Sequence, residues 1–336
     1  MEPKKTPNNH VRKQKQDCAL QTDGERFLPW MEDSIINYEH LHRYGFAKEF
    51  VKGKKVLDLA CGEGYGSDML AERAEEVIGV DISEAAIKHA CYKYVRGNLK
   101  FVKSSAIKIS VKGEKIFDVI VCFEALEHIE EQDKVMKEVK RIIKDNGLFI
   151  VSTPNKYVYS DLSNCKNPWH KKELYLDEFK SLLKSSFNNV IIYGQKVFPA
   201  SNIFPIFEGV DNTQELAIEK NKSEFSFVPL NKKEARYFIA VASDDPMESM
   251  VGSSYLVDNS ETLFRQIIET GLEAVRNELE AVRSELGAIH SSHGWKLLKC
   301  YYKFRDKIFP LNSRRRAYAE SSWKIVTRRI KRLRQS

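Results

Sequence analysis

No apolar run in this 336-residue chain approaches the roughly 20 residues that span a bilayer, which excludes an ordinary membrane-crossing helix. The opening MEPKKTPNNHVRKQKQ is basic and polar with no apolar stretch, so it does not read as a secretory signal. Residues 1–24 read instead as a disordered lead-in. Cysteine is sparse: Cys18, Cys61, Cys91, Cys122, Cys165 and Cys300 stand apart with no C-x-x-C pair. That scatter argues against a zinc site or a disulfide framework and fits a reducing cytosol. Cationic excess is missing from most of the chain, although the net charge is +7. Residues 294–336 hold 14 Lys/Arg against 2 Asp/Glu, and the other residues hold 40 against 45. The body therefore shows no basic patch of the kind that grips nucleic acid. What is present in quantity is apolar residues at 42% and charged residues at 30%, enough for one large soluble domain with appendages.

From Lys54 onward, strand-like and helix-like segments alternate. Strands are predicted over 55–60, 76–81, 99–104, 117–123, 147–153, 189–197 and 235–242. Helices are predicted over about 32–50, 65–74, 83–94, 130–144 and 176–186, with Ser83 as the cap of the third. This order specifies an α/β fold, a doubly wound, seven-stranded, mostly parallel sheet with ligands at the carboxyl ends of its strands. Residues 198–233 interrupt it as a Pro-containing, aromatic-bearing loop, either a wall beside the substrate or a disordered insertion.

The run Val56-Leu-Asp-Leu-Ala-Cys-Gly-Glu-Gly-Tyr-Gly66 reads as a buried strand, a glycine turn and the start of a helix. Gly62, Gly64 and Gly66 permit backbone angles that a Cβ forbids, so that a ligand can lie against the main chain. Seventeen residues after Gly64, the run Val77-Ile-Gly-Val80 ends in Asp81, an acid placed to accept both hydroxyls of a ribose. The turn departs from the pyrophosphate-binding pattern: Ser67 stands at its third glycine position, and Asp58 precedes it. A carboxylate there repels diphosphate and suits a cationic ligand with an amino-acid end, such as S-adenosylmethionine (SAM).

Asp58-x-x-x-Gly62-x-Gly64 with Asp81 resembles the class I SAM-dependent methyltransferases, and the likeness extends over roughly residues 25–243. It implies that the last strand runs antiparallel to the others. It also implies that Gly62 and Gly64 cradle the methionine portion, with Asp58 facing its ammonium directly or through water. Asp81 would bind the ribose, Ile82 would pack on adenine and Ala106 would meet the adenine edge. Phe123, at the end of the fourth strand, would line the same cleft. Arg43 would pair with the methionine carboxylate or stand as a surface arginine of the first helix.

Directly after the fourth strand come Glu124-Ala-Leu-Glu127-His128, and after the fifth comes Asn167-Pro-Trp-His170. If the first stretch coils, Glu124, Glu127 and His128 face one way. Loops after adjacent parallel strands lie side by side, so His170 would converge on them. Two carboxylates and two imidazoles suit Mg²⁺ or Mn²⁺. The E-x-x-E-H run with a later His resembles the metal site of small-RNA 3′-terminal 2′-O-methyltransferases, and E-x-x-E-H alone is similar to ubiquinone-pathway O-methyltransferases. Three roles stay open for these residues: metal ligation, general base chemistry by His128 or His170 without metal, and helix capping.

Beyond Asp245, after a linker over 246–260, Ile268, Leu272, Val275, Leu279, Val282, Leu286 and Ile289 recur at alternating spacings of four and three. That is the seam of a short coiled coil over 261–292, for self-association or for docking on another protein. Residues 293–336 mix Trp, Leu and Ile with many cations and read as an amphipathic tail for an anionic membrane surface, a protein partner or nucleic acid.

The layout resembles bacterial methyltransferases encoded with surface-polysaccharide assembly enzymes, through Glu25-Arg-Phe, Glu39-His-Leu-His-Arg-Tyr-Gly-Phe-Ala47, Ser152-Thr-Pro-Asn155 and Asn167-Pro-Trp-His170. The resemblance implies O-methylation of a sugar hydroxyl on a glycan or its precursor, lipid-linked forms included, by a cytoplasmic enzyme at the inner membrane face. The competing expectations are 2′-O-methylation of an RNA end, methylation of a small phenol or quinone precursor, and a scaffold with a degenerate methyltransferase fold.

Overall fold

The computed structural model describes residues 27–28, 35–164, 166–198, 217–221, 224–228, 234–247, 253–258, 262–311 and 313–319. The expected lead-in, Cys165, much of the 198–233 interruption and the end of the basic tail lie outside them. The chain divides into two compact units, Met1–Gln266 and Ile267–Ser336.

In the first unit, α1 (Ile35–Lys48) precedes β1 (Lys55–Leu59), α2 (Tyr65–Ala71), β2 (Glu76–Asp81), α3 (Glu84–Lys93), β3 (Leu99–Lys103) and β4 (Phe117–Cys122). Then come α4 (Gln132–Ile142), β5 (Ile143–Pro154), α5 (Leu176–Lys184), β6 (Asn189–Gln195), β7 (Ala217–Asn221), β8 (Glu224–Val228) and β9 (Tyr237–Ser243). Seven strands form one sheet in the order β3-β2-β1-β4-β5-β9-β6. Its first four pairings are parallel, and β9 runs antiparallel to both β5 and β6. The order reverses between β1 and β4, so the loops after these strands diverge and leave the crevice in which doubly wound sheets bind ligands.

The sheet is buried on both faces, which explains the near-continuous apolar runs of β1, β4 and β9. One cluster joins Leu57, Ile120 and Phe149 to Val135, Val139 and Phe179, from the strands, α4 and α5. The other joins Val56, Val119 and Val241 to Tyr44, Ala47 and Leu70, from the strands, α1 and α2.

Two features depart from the sequence reading. β5 begins at Ile143, directly after α4, and a register irregularity opposite Phe117 and Val119 accommodates the early start. Within the 198–233 interruption, β7 and β8 pair as a separate two-stranded antiparallel sheet.

The second unit contains most of α6 (Thr262–Ser291) and all of α7 (His293–Ile308). Ser292 caps α7, its Oγ accepting from Trp295 N–H. No helix among the described residues is long and apolar enough to cross a membrane.

Candidate functional site

The glycine turn after β1 is shaped by local sterics. Gly62 and Gly64 have φ of 55° and 98°, the left-handed region in which a side chain is strained. A Cβ on Gly66 would stand 2.0 Å from the Tyr44 ring, and one on Gly64 would stand 2.8 Å from Ala90 Cβ. Gly66 is therefore required by the ring of α1 that packs over it.

Asp58 lies fully buried beneath this turn. Ser67 Oγ donates to it at 2.6 Å, and Tyr44 Oη lies 3.2 and 3.3 Å from its two oxygens. Burial pushes its carboxyl up to about 7, against the opposing effect of the two hydroxyls. Direct contact with a ligand ammonium would require one hydroxyl to move. Ser67, at the third glycine position, thus anchors the acid of β1.

Asp81 ends β2 and grips both neighbouring loops, its Oδ2 accepting from Gly62 N–H at 3.0 Å and its Oδ1 from Ser83 N–H at 2.8 Å. Ile82 beside it is 71% exposed, an apolar surface next to the turn. Ala106 sits half-buried in the loop after β3 and packs against the core. Phe123 is buried and meets the Tyr44 ring edge-on at 5.1 Å. Glu63, between the glycines, points inward. Its carboxylate takes His89 Nε2 at 2.8 Å, Lys93 Nζ at 2.7 Å and Tyr94 Oη at 2.7 Å, which ties the turn to α3 and the residue after it.

Arg43 is not a surface residue; it is 1% exposed. Its Nε donates to the Glu39 carbonyl, and its guanidinium lies 4.7 Å from the centre of the Tyr237 ring. Nη1 is 2.7 Å from Glu124 Oε1, an ion pair whose angle does not make a hydrogen bond, and Nη2 has no hydrogen-bond partner among the described residues. A buried guanidinium with donors to spare suits a carboxylate ligand.

The segment after β4 does not present Glu124, Glu127 and His128 on one face. Glu124 adopts a φ of 49°, and only Leu126–His128 coil, as a single tight turn. A left-handed non-glycine residue costs about 1–3 kcal/mol and is held by its surroundings. Here Ser152 does so, accepting from Glu124 N–H at 3.1 Å and donating to Glu124 Oε1 at 2.6 Å. Glu124 therefore turns to Arg43, and the expected set of four metal ligands becomes three. Glu127, His128 and His170 offer ligand atoms that all lie within 4.8 Å of one another.

Glu127 is buried, and desolvation with the nearby Glu124 charge holds its carboxyl well above the usual carboxylate range. Its nearest polar side-chain partner is Thr153 Oγ1, at 3.4 Å. The rings of His128 and His170 meet at 5.1 Å between centres. His128 Nδ1 lies 3.1 Å from the Trp169 carbonyl, which can only accept. The proton is therefore on Nδ1, and in neutral His128 the basic nitrogen is Nε2. His170 is oriented by Glu173 on Nδ1, at 2.5 Å, and by the Asn167 side-chain amide on Nε2, at 3.0 Å. Sequence reasoning missed Glu173, although its spacing of three residues from His170 was a usable signal.

Known proteins resemble part of this chain. A probable SAM-dependent methyltransferase of Mycolicibacterium smegmatis is 32% identical over 177 residues, which are 50% of this chain and 65% of that protein. One of Mycobacterium tuberculosis is 34% identical over 170 residues, 49% of this chain and 60% of its own. The matches thus span less than two thirds of each relative. A solved SAM-dependent methyltransferase of Archaeoglobus fulgidus aligns with 62% of this chain and 99% of its own, at 22% identity and a TM-score of 0.44. A family model described as a methyltransferase domain matches residues 50–222, just over half of the chain, and on that match the protein belongs to the methyltransferase-domain family.

Proposed function

We propose that the protein is a SAM-dependent O-methyltransferase whose acceptor is a sugar hydroxyl of a cell-surface glycan or its precursor. The observation that carries the reading is the pair of oriented imidazoles beside buried Glu127, after the strands β4 and β5 that follow the crevice in the sheet. SAM, when bound, supplies an electrophilic methyl on a sulfonium. Arg43 would hold its carboxylate, Gly62 and Asp81 would shape the pocket for its ribose end, and Ile82 would cover adenine. His128 Nε2 takes the acceptor's hydroxyl proton as its oxygen attacks, while the Trp169 carbonyl fixes the ring. General-base help of this kind contributes about 10²–10⁴-fold.

Support for a sugar comes from the rim. Trp169, adjacent to His170, is 54% exposed, and Tyr157 and Tyr175 are also exposed. Flat aromatic rings stack on the C–H faces of sugar rings, and Trp169 presents such a ring next to His170.

Mn²⁺, or less readily the oxygen-preferring Mg²⁺, would fit the same place once His170 Nε2 releases the Asn167 amide. A carboxylate and two imidazoles, one of them backed by Glu173, form a donor set that would hold either ion, and a bound ion would lower the pKa of a coordinated hydroxyl. Activity that survives EDTA identifies the imidazole base alone, and loss that Mn²⁺ or Mg²⁺ restores identifies the ion.

A second reading rests on a relative named as a ubiquinone biosynthesis O-methyltransferase, from Pelagibacter ubique, which is 33% identical over 110 residues, 33% of this chain and 46% of its own. A phenolic acceptor would follow. Incubation with labelled SAM, a panel of sugar acceptors and a panel of catechols decides between them: label on a sugar supports the proposal, label only on catechols replaces it, and failure to bind SAM in calorimetry defeats both.

A further inference from the structure

The helix α6 carries a seam whose occupant can be read from its own heptads. Ile268, Leu272, Val275, Leu279, Val282, Leu286 and Ile289 lie along one stripe of this 30-residue helix, and each is between 45% and 62% exposed. Seven large aliphatic side chains in a row on a water-facing helix form a continuous apolar surface, which is the signature of an association face.

The order of the spacings, four then three, fixes the register. Leu272, Leu279 and Leu286 take the a positions, and Ile268, Val275, Val282 and Ile289 take the d positions. Two successive heptads, Leu272–Glu278 and Leu279–Glu285, are the same sequence except for Asn277 and Ser284. Arg276 and Arg283 then occupy e, and Glu278 and Glu285 occupy g.

The charges select a direction. In parallel, in-register helices a g residue faces the e residue of the following heptad on the neighbouring chain. Glu278 then meets the partner's Arg283, and Glu285 meets the partner's His290. In antiparallel helices g faces g and e faces e, which would set glutamate on glutamate and arginine on arginine. The seam is thus complementary to a parallel copy of itself and repelled by an antiparallel one.

The core residues select a number. β-Branched residues at a with leucine at d favour two strands, whereas leucine at a with β-branched residues at d shifts the preference to three or four. This chain has the second arrangement at every seam position from Ile268 to Ile289. We propose that α6 assembles with further copies of this chain into a parallel, in-register bundle of three or four helices. All copies would then enter the bundle at the same end. Nothing in this assembly depends on methyl transfer by the first unit.

The test is the mass of the full chain in solution by light scattering coupled to gel filtration, at micromolar concentration. A mass of three or four times 38.8 kDa is expected, and a single chain or a dimer overturns the proposal. Direction is tested by charge reversal. Arg283→Glu places a glutamate against the partner's Glu278 in the parallel bundle and is expected to shift the mass toward that of one chain. The double variant Glu278→Arg/Arg283→Glu restores the pairing and the mass. A single reversal that leaves or strengthens assembly overturns the parallel arrangement. Leu279→Lys, with an unchanged thermal transition of the first unit, shows that loss of mass comes from the seam and not from misfolding.

Discussion

A carboxylate sealed from water beneath the glycine turn has consequences that can be measured. Asp58 has an ordinary value of 3.8 and is raised by burial to about 7. Between these values the folded chain keeps a proton that the unfolded chain has lost. Its contribution to stability therefore falls as pH rises through that window, by at most about 1.4 kcal/mol per pH unit. Asp58→Asn removes the ionisation, so its stability relative to the parent should improve from about pH 5 to about pH 8. Urea unfolding of both proteins at those two pH values reads the difference; parallel trends would show that Asp58 ionises freely in the fold. The second residue-scale expectation concerns His128. His128→Ala should lower kcat by about 10²–10⁴ and leave the SAM dissociation constant within about twofold. Equal losses in both would instead make His128 a packing residue. Glu124→Gln tests the role of Arg43: it leaves the buried guanidinium without its anionic partner and removes a negative charge beside the expected SAM carboxylate, so it should tighten SAM binding in calorimetry, and unchanged binding would remove Arg43 from the cofactor site.

Elements are held to one another at this site by polar struts. Glu63 is the main one between the glycine turn and α3, with three donors on a side chain that water does not reach. Glu63→Ala removes the buried acceptor that these three groups share and should destabilise the protein by about 1–3 kcal/mol, measured by urea unfolding. A change within error would mean that His89 and Tyr94 re-pair at no cost. The strut also marks where sequence reading stops. Strand periods, the Ser83 cap and the acid at the tip of β2 were legible because each depends on neighbours in sequence or on one period. The inward turn of Glu63 was not, since an acid between two glycines reads equally well as solvent-facing. Glu124 and Glu127 carry the same lesson. Their spacing of three predicts a shared face only if the chain is helical, and the left-handed Glu124 breaks that condition through Ser152, 28 positions away. Likewise, Arg43 was an ambiguous helix residue until Tyr237 and Glu124 closed around it. Long-range partners decided these cases, and no local pattern encodes them.

At the scale of the whole molecule, charge is segregated: the cations concentrate in residues 294–336, and the remainder is acidic on balance. α7 arranges part of that charge. Leu297, Tyr301, Phe304 and Ile308 follow spacings of four, three and four on one face and are exposed, whereas Lys296, Lys299, Lys303 and Lys307 lie together on an adjoining side. An exposed apolar face flanked by lysines suits the boundary of an anionic bilayer, where each cation near the surface contributes about 1 kcal/mol. A single such helix binds weakly, but a parallel bundle would carry three or four of them together, and linked weak contacts can gain about 10²–10⁴ in avidity. The 336-residue chain should therefore sediment with vesicles containing phosphatidylserine and not with phosphatidylcholine alone, and roughly 1 M salt, which shortens the screening length to about 3 Å, should release it. Replacing the four lysines with glutamine should weaken sedimentation by about 1 kcal/mol per lysine removed. Leu279→Lys, which leaves every tail cation in place, should weaken it severely, because only the multiplicity is lost. Equal binding to neutral vesicles, or binding untouched by salt, would make the apolar side chains and not the cations the anchor, and failure to bind either vesicle would assign this face to a protein partner. The Leu279→Lys result separates avidity from simple charge: if that variant binds as tightly as the parent, one tail suffices and assembly serves another end.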